Sequence, residues 1–185
     1  NKLNSNSIQK LGSIDGIIAN TGSVKNVHDW DIPKVDWDWY FSNNFYAASN
    51  LIQKMIPNLK ISRGSIIFIG SIAGVEDLGA PIPYSVSKSA LLSYTKLLSK
   101  RLARYKIRVN MISPGNIYFK GGNWFKKQRD NPELVDKILN EKVPLKKFGN
   151  PEDIGNIVAF LLSSKANFVT GSNIVADGGQ TNNLF

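Results

Sequence analysis

The sequence contains no cysteine. Disulfides and thiolate metal sites are therefore excluded, and a reducing compartment is the simplest fit. Its one histidine, His28, excludes a histidine cluster on a metal and leaves no second imidazole for a Ser-His-Asp triad. No metal site is expected. No apolar run reaches the roughly 18 residues that a spanning helix needs. The opening residues, Asn1-Lys2-Leu3-Asn4-Ser5, are polar and lack the apolar centre of a signal peptide. A cytoplasmic chain with no membrane association is expected. Acidic residues are the scarce sign, 14 against 23 Lys and Arg, giving a formal charge of +9 over 185 residues. The excess is scattered: Lys96, Lys100, Arg101 and Arg104 on one helical stretch, and Lys120, Lys126, Lys127 and Arg129 in a loop. Neither group is interleaved with aromatics, so no nucleic-acid partner is expected. Solvated faces are the favoured reading, and a surface for an anionic cofactor or partner is the alternative. His28 reads as a surface residue in a polar loop.

Apolar runs of strand length alternate with helical patterns, which predicts an α/β fold with a parallel sheet. Strands are predicted over Ile14–Ala19, Ser65–Ile69, Ile107–Ile112 and Asn173–Ala176. The run Ser65-Ile66-Ile67-Phe68-Ile69 is continuously apolar, as a strand covered on both faces should be. Between them, Val35–Leu59 and Tyr84–Tyr105 carry apolar stripes of helical period. A shorter helix is expected over Pro132–Leu139. The last helix has the clearest start: Asn150 as N-cap, Pro151 at the first position, then Glu152 and Asp153 at the positive end of the dipole.

Four polar residues stand out. Tyr84 and Lys88 are four apart near a helix start and share one face. An ammonium beside a phenol, aided by the helix terminus, is expected to lower the phenol's pKa and suit it to proton transfer. Chance spacing on an amphipathic helix is the plainer reading of that pair. Ser71 ends an apolar strand, where ligands of open α/β sheets bind, so its hydroxyl could steady a substrate carbonyl; a turn serine is the plainer alternative. Asn44 interrupts an apolar stripe between Phe41 and Ala48. It reads either as a bonded core amide or as the holder of an ordered water.

Taken in order, Asn44, Ser71 and the run Tyr84-Ser85-Val86-Ser87-Lys88 resemble the catalytic tetrad of classical short-chain dehydrogenases/reductases. Further stretches resemble the same family: Ile17-Ile18-Ala19-Asn20-Thr21-Gly22, Ile107 through Pro114-Gly115, Val143-Pro144-Leu145, Gly149-Asn150-Pro151-Glu152-Asp153, Thr170-Gly171 and Asp177-Gly178-Gly179. The resemblance implies a doubly wound Rossmann-like parallel sheet with helices on both faces. It implies an NAD- or NADP-dependent oxidoreductase moving a hydride between the nicotinamide and a carbonyl or alcohol. Tyr84 would be the general acid/base, Lys88 its partner and a ligand of the nicotinamide ribose, Ser71 the substrate-orienting hydroxyl, and Asn44 the holder of a water linking Lys88 to solvent. Asn20 and Gly22 would line the adenosine side, and Pro114, Gly115 and Ile117 the nicotinamide. The substrate would be a small carbonyl compound or alcohol, either a 3-oxoacyl thioester or a sugar or polyol. A homo-oligomer, dimer or tetramer, is implied for the full-length form.

The chain also departs from the family. Thr21 stands where alanine is usual, and Tyr118 follows Ile117 where a threonine near a cofactor phosphate is common. The aromatics of the Tyr118–Trp124 loop read equally as an apolar substrate wall or as lid packing. No Gly-x-Gly-x-x-Gly turn precedes the Ile14 strand, and residues 1–12 read as the end of a helix. Residues 1–185 are therefore expected to be one domain, the carboxyl-terminal two-thirds of the family's fold, without its first strands and glycine-rich turn. The Ile14 strand is then expected to be an exposed sheet edge. A catalytically silent remnant, acting only through oligomer or partner contacts, is the competing expectation.

Overall fold

The computed structural model describes residue 10, residues 12–27 and residues 30–183. His28 and most of the stretch expected to end a helix before Ile14 lie outside the described residues. Four parallel strands form one sheet in the order β1 (Gly16–Ala19), β2 (Ser65–Ile69), β3 (Arg108–Pro114), β4 (Asn173–Ala176). β2 and β4 occupy the expected residues, while β1 begins two residues later than expected and β3 is displaced toward Pro114. The register aligns Ile17 with Ile66 and Ile66 with Val109, so like side chains stack across the sheet.

Strand alternation divides the core into two layers. Ile17, Ala19, Ile66, Phe68, Val109 and Met111 point to one face and pack against Ile52, Leu59 and Leu91. Ile67 and Ile112 point to the other, against Val158, Leu161 and Ala166. Helices therefore cover both faces, which is the doubly wound arrangement that the family resemblance implies. Ile18 lies on the second face yet is 46% exposed, because β1 is an edge strand among the described residues.

The helix expected over 35–59 is three segments in line: α1 (Lys34–Phe41), a π-helical turn (Ser42–Tyr46) and α2 (Ala47–Ser62). Apolar periodicity cannot show such a widened turn, because a π-turn shifts the stripe by a fraction of a turn without breaking it. α3 (Ile82–Leu102) starts two residues before the expected Tyr84, with Pro83 in its first turn, where a missing N–H costs nothing. The loop expected around Lys120–Arg129 contains a helix, α4 (Asn123–Asp130), that carries Lys126, Lys127 and Arg129. Its polarity hid it, since only Trp124 and Phe125 supply an apolar side. α5 spans Pro132–Lys142 and α6 Pro151–Leu162. α6 opens with the expected cap: Asn150 Oδ1 accepts from the Asp153 N–H at 2.9 Å, and Asp153 returns the bond to Asn150 at 2.8 Å.

The other end of α6 is capped from the sheet. Arg108, the first residue of β3, donates to the Leu161 carbonyl at 2.6 Å and to the Leu162 and Ser163 carbonyls at 3.3 and 3.2 Å. A guanidinium suits three diverging carbonyls at the negative end of a helix. Arg108→Met is expected to keep the aliphatic packing and lose the cap, at a cost of about 1–3 kcal/mol in urea unfolding. An unchanged midpoint would mean that water replaces the cap at no cost.

Candidate active site

Three chain segments meet at the carboxyl ends of β1 and β2. Ser71 follows β2 in extended backbone and caps the short turn Ile72–Gly74, its Oγ accepting from the Ala73 N–H at 3.2 Å. Gly74 lets α3 approach that turn: a Cβ there would lie 2.8 Å from the Lys88 backbone carbon. The Ser89 hydroxyl locks the contact by donating to the Gly74 carbonyl at 2.7 Å. This close packing brings the Tyr84 phenol beside the Ser71 hydroxyl.

Lys88 is buried, and its ammonium donates to the Thr21 carbonyl at 3.1 Å and the Ile69 carbonyl at 3.2 Å. It thus bridges the ends of β1 and β2, 5.9 Å from the centre of the Tyr84 ring. Burial pulls the Lys88 pKa down from 10.5 to about 8. The expectation that Lys88 lowers the Tyr84 pKa is corrected here. Burial dominates and pushes the phenol up, the Ser71 hydrogen bond opposes this, and the neighbouring Tyr40 adds to the rise. Spacing along a helix places two side chains on one face but cannot show how far each is withdrawn from water. The phenol therefore holds its proton at neutral pH.

Asn44 sits in the π-turn, fully buried. Its Nδ2 donates to the Ser23 and Tyr40 carbonyls and its Oδ1 accepts from the Ser23 N–H, all at 3.0 Å. Gly22 leaves room for this: a Cβ there would meet the Lys88 Nζ at 2.8 Å and the Asn44 Oδ1 at 2.9 Å. Asn20 is exposed just past β1, and the Thr21 hydroxyl is buried without a hydrogen-bond partner. Pro114 ends β3, and the Gly115 N–H bonds the Ala176 carbonyl at 3.0 Å. Ile117 pairs with Gly149 through two neighbouring bonds, Tyr118 N–H to Gly149 O at 2.8 Å and Gly149 N–H to Asn116 O at 3.0 Å. Neither bond uses the Ile117 N–H.

Ser71, Tyr84, Lys88, Gly22 and Asn44 are thus brought together, with Pro114, Gly115 and Ile117 on a turn at the end of β3. Tyr118, Trp124, Phe125 and Phe148 pack on one another beside it, with ring centres 5.3 to 5.9 Å apart. A cavity of about 540 Å³ lies behind that turn, lined by Ile117, Phe148, Asp153 and Asp177. None of Ser71, Tyr84 and Lys88 lines it, so the chemistry is assigned by convergence of groups rather than by cavity size. Among the described residues, no cluster of His, Asp or Glu could hold a metal ion. No helix among them is long and apolar enough to cross a membrane. Sequence reading missed the Thr21 and Ile69 carbonyls, Ser23 and Tyr40; backbone carbonyls carry no sequence signal, but Gly74 so close to Ser71 hinted at a close approach.

A parallel sheet covered by helices on both faces, with polar groups gathered at the carboxyl ends of its strands, defines a Rossmann-like α/β class. Comparison with known proteins narrows this. A family model described as enoyl-(acyl carrier protein) reductase matches residues 1–181. Isoepoxydon dehydrogenase of Penicillium expansum is 36% identical over 175 residues, 94% of this chain and 66% of that protein. The 3-oxoacyl-(acyl-carrier-protein) reductase of Staphylococcus epidermidis is 34% identical over 173 residues, 93% of this chain and 68% of that protein. The crystal structure of L-sorbose reductase from Gluconobacter frateurii, complexed with NADPH and L-sorbose, superposes with a TM-score of 0.90 at 28% identity, covering 98% of this chain and 72% of that one. The chain belongs to the classical short-chain dehydrogenase/reductase family. It spans about two-thirds of the length of the curated relatives it matches.

Proposed function

We propose that this chain carries the proton-transfer and nicotinamide-facing part of an oxidoreductase using NAD or NADP on a carbonyl or alcohol. The observation that carries the reading is the convergence of Ser71, Tyr84 and Lys88 at the carboxyl ends of β1 and β2. The residues present fit the cofactor. Lys88 has a third N–H beyond the two it gives to carbonyls, and Gly22 leaves open the space beside it. Lys88 and Tyr84 would hold the nicotinamide ribose. Asn20 and Gly22 would lie on the adenosine side. Pro114, Gly115 and the Ile117 N–H would meet the nicotinamide and its carboxamide.

When bound, the reduced cofactor supplies a hydride to the carbonyl carbon. The protein supplies the rest. The Ser71 hydroxyl, beside Tyr84, turns its single donor toward the substrate oxygen. The neutral Tyr84 gives its proton to that oxygen as the C–O bond becomes an alcohol, and takes one back in the oxidative direction. The Lys88 ammonium steadies the phenolate left behind. Asn44 would hold the water linking Lys88 to solvent: its Nδ2 is engaged with Ser23 and Tyr40, while its Oδ1 accepts from the Ser23 N–H and keeps a second lone pair.

A 3-oxoacyl thioester and a sugar or polyol are the two substrate classes carried forward, each represented among the relatives. A homo-oligomer is part of the same reading, supported by exposed Tyr46 and Leu97 on the helices of one face. The test is a fluorescence titration of the purified chain with NADH and NADPH, followed by a carbonyl screen. Saturable binding with Tyr84-dependent turnover is expected. Absence of binding at millimolar cofactor would make the site incomplete in this chain and leave a silent remnant.

A further inference from the structure

Tyr40 lies one helical turn before Asn44 and is as fully buried. Its hydroxyl accepts from the Lys25 N–H at 3.0 Å and donates to the Lys25 carbonyl. Asn44 treats Ser23 in the same way, accepting from its N–H and donating to its carbonyl. Ser23 and Lys25 are two residues apart, so in an extended segment their N–H and C=O groups point to the same side. Two side chains at helical spacing therefore stand where a neighbouring strand would offer backbone groups. The segment they hold leads directly back to Gly22 and to Thr21, whose carbonyl accepts from the Lys88 ammonium. The Lys25 side chain extends away from this contact, paired with Asp36 and lying 4.9 Å from the centre of the Trp39 ring.

We propose that Tyr40 is a positioning residue of the active site: with Asn44 it clamps residues 21–25 so that the Thr21 carbonyl holds the Lys88 ammonium in place. The inference rests on the role given to Lys88 above, but its mechanical half stands without turnover. A hydroxyl at position 40 is needed for this and a ring alone is not. The ring has a separate contact, edge-on to Tyr84 with centres 6.3 Å apart, which Tyr40→Phe preserves. With the clamp halved, the loop should leave the helix at Lys25 and admit water to Lys88.

The experiment labels lysines with an amine-reactive probe across pH and reads Lys88 by mass spectrometry, alongside amide exchange at Ser23 and Lys25. In the unmodified protein the Lys88 midpoint is expected near the depressed value of about 8. Tyr40→Phe should expose the Lys25 amide and raise the Lys88 midpoint by about one pH unit or more, as water returns to the ammonium. It should also weaken NADH or NADPH binding several-fold. Lys25→Ala, which keeps the backbone bonds, should change neither. A Lys25 amide that exchanges freely in Tyr40→Phe while the Lys88 midpoint stays put would overturn the proposal, as would an unchanged amide. Failure of cofactor binding in the unmodified chain would instead sink the functional reading and leave the labelling result intact. Should Tyr40→Phe not fold, the unmodified protein in low urea serves: Lys88 labelling and Lys25 exchange should share one urea dependence, and separate dependences would overturn the clamp.

Discussion

Tyr84→Phe is expected to cut turnover by about 10²–10⁴-fold, the usual range for losing a positioned proton donor. The change removes one oxygen and keeps the ring, which packs edge-on against Tyr40. Its fold cost should be small, since the neighbour of the hydroxyl is Ser71, itself at a turn. Cofactor affinity should fall much less than turnover, because Lys88 keeps its carbonyl anchors. Steady-state rates and a cofactor titration on the same preparation separate the two. The raised pKa of Tyr84 adds a direction in pH. Burial keeps the phenol protonated through neutrality, so carbonyl reduction should hold its rate through neutral pH and decline only on the alkaline side. Full turnover by Tyr84→Phe would remove Tyr84 from the mechanism. So would an activity that rises with pH in the reductive direction, because it would call for a phenolate rather than a phenol.

The elements that sequence reading placed well are those in which burial is periodic. β2 is apolar from Ile66 to Ile69 because helices cover both its faces, and its five residues appear as expected. α6 announces itself by Asn150, Pro151 and Asp153, each with a local reason to be there. What escaped has no periodic signature. The π-turn at Ser42–Tyr46 replaces one ladder of backbone bonds by another and leaves the side-chain stripe nearly unchanged. α4 is too polar to show a face. In the site, Ser71, Tyr84 and Lys88 were legible because each has a chemical side chain at a telling place. Their electrostatics were not. Proximity in sequence suggested a lowered phenol pKa, whereas withdrawal from water, a property of the whole packing, raises it. Asn44 shows the same limit. Its position on an apolar stripe marked it as special, and only the fold shows its carboxamide turned to the loop at Ser23.

Lys88→Met is expected to remove cofactor binding, to make the protein more stable at neutral pH, and to forfeit the stability that the buried lysine regains at alkaline pH. The lysine's pKa falls from 10.5 to about 8 on burial, with desolvation the cause. The folded state therefore disfavours the ammonium. Between those two pH values the unfolded chain holds a proton that the folded lysine has released, so folding stability rises with pH across that window. The depression corresponds to about 3 kcal/mol, present as a penalty below pH 8 and relieved above 10.5. Against this stand the two hydrogen bonds to Thr21 and Ile69, whose loss leaves two carbonyls without that donor, at about 1 kcal/mol each. Desolvation is the larger quantity, so the net gain for methionine at pH 7 should be about 1 kcal/mol. Urea unfolding of both proteins at pH 7 and pH 10 tests this, since the other lysines and tyrosines are shared and cancel in the comparison. The methionine variant should lead at pH 7 and trail by about 1–2 kcal/mol at pH 10, because most of the penalty on the lysine is relieved by then. A methionine variant less stable at both pH values, by the same amount, would mean that the ammonium is fully satisfied by its carbonyls. An order of stability that reverses between the two pH values would mean that the protein tolerates a buried cation at the end of its sheet in exchange for a ligand site, the stability cost expected where function requires an awkward charge.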